Sequence, residues 1–101
     1  MKKIIDGKMY NTETAARIGC WSNGCYQSDF NYYSEDLYKK KTGEYFLHKE
    51  GGALSCMAEY SGSGYSSGES IKQMHESSAK VWCMSKLDAD EYESIFGAVE
   101  E

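Results

Sequence analysis

No apolar run in the sequence approaches the roughly 20 residues that a bilayer span needs, so no transmembrane helix is expected. An export signal is not expected either. Lys2 and Lys3 resemble a basic n-region, but Ile4-Ile5 runs at once into Asp6-Gly7-Lys8, with no apolar h-region between. A cytoplasmic location in a reducing compartment follows as an expectation. Arginine occurs once, as Arg17, and eleven basic residues face sixteen acidic ones, for a net charge of −5. Nonspecific nucleic-acid binding needs a basic surface, so direct binding to nucleic acid is not expected. Proline is absent, where about five would be average for this length, and the absence carries no functional reading. Only two histidines, His48 and His75, are present to serve general acid–base chemistry.

What is present describes one domain. The 101 residues leave no material for a second core, and 41% hydrophobic with 27% charged residues is a globular composition. Cys20, Cys25, Cys56 and Cys83 are an even set, which a disulfide framework would need, but an unexported chain does not favour bridges. Zinc is the other reading, with His48 and His75 as further ligands. Structural zinc sites show two tight ligand pairs; here only Cys20 and Cys25 are close, with four residues between them. Free cysteines acting as small buried hydrophobes are the expectation, with no metal and no cofactor.

The order of elements is legible in part. Lys3–Ile5 and Lys8–Tyr10 flank Asp6-Gly7, which suits a type I′ hairpin. Thr12, Ala15, Ala16 and Ile18 predict about two helical turns ended by Gly19. Trp21-Ser22-Asn23-Gly24 is turn chemistry. Phe30 to Lys41 and Glu44 to His48 predict a tyrosine-rich hairpin broken at Thr42-Gly43, with Tyr33, Leu37, Tyr45 and Leu47 on the buried face. Lys39, Lys40 and Lys41 fall at its tip, as solvated charge that blocks edge pairing or, less favoured, as a phosphate contact. Glu50-Gly51-Gly52-Ala53 turns the chain, and Leu54 to Tyr60 is a strand or one helical turn. Residues 61–70 are nearly all Ser and Gly and predict an exposed loop. Ile71–Met74 reads as a short strand. Ser77 or Ser78 caps a helix with Ala79, Trp82, Cys83 and Leu87 inward. A second helix starts at Asp88 with a capping box to Glu91, carries Tyr92, Ile95, Phe96 and Val99 as its stripe, and meets Gly97 as a stop. The fold class is α+β: a small antiparallel sheet of hairpins, two C-terminal helices and one short N-terminal helix.

Patterns of catalytic chemistry are weak. Gly64-Tyr65-Ser66-Ser67-Gly68 matches G-x-S-x-G, but a nucleophile elbow needs a buried strand before it and a helix after it. No Gly-Lys-Ser/Thr follows the glycines, as a phosphate loop requires. A Cys56–His48 pair has nothing in the sequence to support it, and Glu35-Asp36 point to opposite faces of a strand. No catalytic residue is assigned and an enzyme is not expected. Charge is more informative. Residues 1–50 hold eight basic and seven acidic side chains; residues 51–101 hold three and nine. Asp88, Asp90, Glu91 and Glu93 concentrate that excess on the last helix, where they either solvate it or dock on a basic protein surface. Tyr32, Tyr33, Tyr38 and Tyr45 are the other candidate partner-binding residues, because tyrosine is enriched at interfaces.

Ile5-Asp6-Gly7-Lys8-Met9-Tyr10-Asn11-Thr12-Glu13-Thr14-Ala15 resembles the opening of small uncharacterised proteins carried by phages and mobile elements of Gram-positive bacteria. Ser28-Asp29-Phe30-Asn31-Tyr32, Glu35-Asp36-Leu37-Tyr38, Gly43-Glu44-Tyr45-Phe46-Leu47, Glu50-Gly51-Gly52-Ala53-Leu54-Ser55 and Leu87-Asp88-Ala89-Asp90-Glu91-Tyr92-Glu93 continue the likeness over most of the chain. The cysteines fall outside it. The chain also departs from it at Gln73-Met74-His75-Glu76, where such proteins often carry a proline. The resemblance implies an anti-CRISPR-like inhibitor, a non-enzymatic protein that binds a basic host nuclease or nuclease–RNA complex. The alternatives are a small regulatory or nucleic-acid-binding module using the tyrosine-rich hairpin, or a zinc domain or small enzyme. A homodimer through an exposed tyrosine strand is compatible with either class.

Overall fold

The computed structural model describes all residues except Gln27, Ser63 and Glu101, and Ser61 by its backbone only. The fold is α+β: among the described residues, eight strands in three antiparallel sheets are followed by two helices. Strands β1 (Lys2–Ile5) and β2 (Lys8–Asn11) form the first hairpin. Its turn places Asp6 at φ 51° and Gly7 at φ 77°, the two positive values that a type I′ turn demands.

The main sheet has the order β3-β4-β5-β8. It comprises β3 (Ala16–Ser22), β4 (Tyr33–Lys39), β5 (Tyr45–Gly51) and β8 (Gly68–Met74). Side chains alternate across it, so each face has its own core. Leu37, Tyr45 and Leu47 face the helices and pack with Ala79, Trp82 and Cys83. Phe46 and Ile71 face the other way, under Tyr10 of the first hairpin. There Tyr38 stacks on Phe46 at 5.1 Å between centroids, and Tyr10 meets Phe46 edge-on at 5.6 Å. The Tyr10 hydroxyl accepts from Gln73 Nε2 at 2.8 Å and donates to Glu44 at 3.1 Å, which satisfies the polar tip of a buried ring.

The structure corrects several expectations, among them the following. The helical turns expected at residues 12–18 are absent: Ala16–Ser22 is edge strand β3, paired with β4 through a bulge between Arg17 and Gly19. Tertiary pairing overrides the helical propensity of Ala15 and Ala16. The stretch expected as the exposed loop 61–70 instead contributes strands. β6 (Glu59–Ser61) pairs with β7 (Gly64–Ser66), and Gly68 to Ser70 begin β8, buried at Gly68. The first helix, α1 (Glu76–Lys86), starts before Ser77 and Ser78; His75 holds the cap position and makes no side-chain cap bond. The second helix, α2 (Ala89–Phe96), stops at Gly97 as expected, with φ 93°, but Val99, expected on its apolar stripe, lies beyond it and is exposed.

The α2 start follows the sequence reading. Asp88 accepts from the Glu91 backbone N–H at 2.8 Å, and the Glu91 carboxylate accepts from the Asp88 N–H at 3.5 Å. Asp88→Ala removes this box and is expected to cost about 1 kcal/mol, as caps generally do, read as a lowered melting midpoint.

Candidate functional site

The two helices cover the sheet with one face and leave the other open. On α1, Ala79, Trp82 and Cys83 turn inward, while Val81 and Met84 are 60% and 63% exposed. Val81 and Met84 are three residues apart, so they are neighbours on the helix surface. Met84 also lines a groove of about 330 Å³ with Leu87, Ala89, Tyr92 and Val99, edged by Asp88 and Glu93. Apolar side chains in open water do nothing for the fold, since burial is what makes them stabilising.

Charge is arranged around this strip. Residues 75–101 carry seven acids and two bases, so they hold the whole net excess of five negative charges. Both bases are engaged. Lys80 pairs with Glu76 at 3.3 Å and lies 5.5 Å from the Phe96 ring centre; Lys86 sits 4.0 Å over Trp21. Asp88, Asp90, Glu91 and Glu93 are exposed, and among the described residues none has an ion-pair partner. Asp88 and Glu91 serve the cap; Asp90 and Glu93 are left as free surface charge.

The tyrosines do not assemble into one surface. Tyr45 is 6% exposed in the core beneath the helices, so its assignment as a partner-binding residue is corrected. Tyr33 is half-buried and donates to the Glu35 carboxylate. Burial and that carboxylate push its hydroxyl far above the usual tyrosine range. Tyr38 is half-buried on the opposite face, stacked on Phe46. Tyr32 is half-buried at a separate cleft beside Glu50 and Glu59. The exposed tyrosines are others: Tyr26, Tyr60 and Tyr65, the last two in edge-on contact at 5.4 Å on the β6–β7 hairpin.

Two of the three tip lysines are likewise engaged. Lys40 pairs with Glu44 at 3.5 Å and lies 4.3 Å over the Tyr10 ring, and Lys39 lies 5.5 Å from the Tyr45 ring centre. The G-x-S-x-G stretch lies in strand β7 and the start of β8, with no helix after it, so it is no nucleophile elbow. The four cysteines are free; Cys83 is buried, and burial pushes its thiol up. No helix among the described residues is long and apolar enough to cross a membrane. Val81, Met84 and Val99 were not singled out as surface residues from the sequence, although the inward set Ala79, Trp82 and Cys83 already leaves positions 81 and 84 on the outer face of α1.

Comparison of the chain with family models, with curated proteins and with solved structures yields no match.

Proposed function

We propose that the chain is a non-enzymatic acidic protein-binding inhibitor that docks its helical face on a basic surface of a partner protein. The observation that carries this reading is the exposed strip of Val81, Met84 and Val99 beside carboxylates with no ion-pair partner among the described residues. An interface needs an apolar centre to exclude water and a charged rim to set orientation and on-rate, and this face has both. The resemblance of the sequence to small phage and mobile-element proteins supplies the partner class: a host defence nuclease or nuclease–RNA complex, blocked in an anti-CRISPR-like manner.

The test is affinity capture from the lysate of a Gram-positive host, with the parent and an Asp90→Asn, Glu93→Gln variant side by side at low and high salt. The parent is expected to retain a nuclease or nuclease–RNA complex at low salt, and the variant to lose it. Capture of no such protein, or of the same set by both, overturns the reading.

A further inference from the structure

The face of the main sheet opposite the helices is only partly covered by the first hairpin. Beyond Phe46 and Ile71, strand β5 carries His48 and then Glu50, two residues on and therefore on the same face. The register sets Glu69 of β8 directly opposite Glu50, and Asp36 of β4 directly opposite His48. His48 is 9% exposed, and its Nε2 lies 2.9 Å from Glu69 Oε2. One ring nitrogen of His48 and one carboxylate oxygen each of Glu50 and Glu69 all lie within 4.8 Å of one another.

Two carboxylates opposite each other on paired strands repel. Among the described residues, no lysine or arginine forms an ion pair with either of them. Lys49, next in sequence to both His48 and Glu50, belongs to the other face of the sheet. An imidazole ring carries at most one positive charge and so cannot balance both carboxylates, whereas a divalent cation does. The carboxylates also border a cleft of about 590 Å³ that Tyr32, Glu59 and Ser67 line, which leaves room for water on the outer side.

We propose that His48, Glu50 and Glu69 form a binding site for a divalent cation of the zinc type, with water completing the coordination. Zinc takes imidazole nitrogen and carboxylate oxygen at roughly 2.0–2.2 Å, so two ligands of one ion are at most about 4 Å apart. Drawing the three atoms in from 4.8 Å is a matter of rotating two glutamates, of which Glu69 has an exposed side chain. The buried nitrogen donor discriminates against magnesium and calcium, which prefer an all-oxygen shell. None of the four cysteines belongs to this ligand set, so it differs in kind from the thiolate site that a cysteine count suggests. The rival account is a plain His48–Glu69 ion pair with no metal.

The experiment uses the chelator-stripped chain with Cys20, Cys25 and Cys56 replaced by Ser, which removes the thiols outside the core as competing zinc ligands. Zinc is added in calorimetry and in thermal melts, with magnesium as the control. One equivalent of zinc is expected to bind and raise the midpoint, and magnesium at equal concentration to leave it unchanged. His48 is buried, so the deciding variant is Glu69→Gln at the exposed ligand, with a melt of the metal-free protein showing that it folds. It is expected to weaken zinc at least tenfold. Cobalt bound at the same stoichiometry is expected to show no thiolate charge-transfer band. Absence of stoichiometric zinc binding by the folded parent overturns the proposal, as does parental affinity in Glu69→Gln.

Discussion

Trp82→Ala is expected to destabilise the fold by about 3–5 kcal/mol, the range for truncating a large aromatic in a core. Trp82 is 7% exposed and packs with Leu37, Tyr45, Leu47, Ala79 and Cys83. It also closes on β3, since a Cβ at Gly19 would stand 2.9 Å from the indole. Its Nε1–H donates to Glu35 Oε1 at 2.7 Å, and Tyr33 donates to the other carboxylate oxygen. Trp82→Phe keeps most of the volume and loses the hydrogen bond together with part of the ring packing, so a smaller cost of about 1.5–3 kcal/mol is expected. Chemical denaturation of parent and both variants measures the series. A Trp82→Ala protein as stable as the parent would show that α1 is packed in another phase.

The same contact predicts the acid behaviour. Burial alone pushes the Glu35 carboxyl up; the hydrogen bonds from Tyr33 and Trp82, with Lys49 and Lys86 nearby, outweigh it and hold Glu35 below the usual carboxylate value. A carboxyl depressed by folding stabilises the folded state at pH above its unfolded value, about 4.5. That contribution is lost as pH falls through the lower folded value. Loss of stability on acidification is therefore expected to be shallower in Trp82→Phe than in the parent. Equal slopes would mean that other carboxylates dominate acid unfolding.

Local chemistry made some of the fold legible and long-range pairing hid the rest. Asp6-Gly7 and the Asp88–Glu91 box are complete within four residues, and both form as their sequences require. Leu37, Tyr45 and Leu47 follow period two and are buried together. Strand β3 was not legible, because its strand character comes from pairing with β4 across the loop after Ser22. Nor was the start of β8: Ser and Gly have little strand propensity, yet Gly68 is required there because a Cβ would collide with the Met57 carbonyl. Missing the start of β8 also hid the proposed ligand set, since Glu69 lies 21 positions from His48 and only the register joins them. The acids of α2 were visible as a charge run. That Lys80 and Lys86 turn to aromatic rings and leave those acids unopposed is a property of the packed helices.

Asp90→Asn with Glu93→Gln is expected to leave the fold almost untouched and to cripple binding to the captured partner. Both residues are exposed and stand outside the Asp88–Glu91 box, so stability should change by a few tenths of a kcal/mol. Asp88 and Glu91 stay in place because removing the cap would mix unfolding with lost affinity. At an interface, each close charge pair lost costs roughly 1.5 kcal/mol or more. Two such losses amount to about 3 kcal/mol, or on the order of a hundredfold in Kd. Carboxylates at the rim also steer the approach of a basic partner, so the association rate should fall and its dependence on salt should flatten. Met84→Ser, at the apolar centre of the same face, separates the two contributions. It is expected to speed dissociation while leaving the salt dependence of association as in the parent, because it changes buried apolar area and no charge. The measurement is binding kinetics at two salt concentrations beside a thermal melt. If the charge variant and the parent bind equally at low salt, the partner contacts another face, and the exposed Tyr60–Tyr65 hairpin is the next surface to alter.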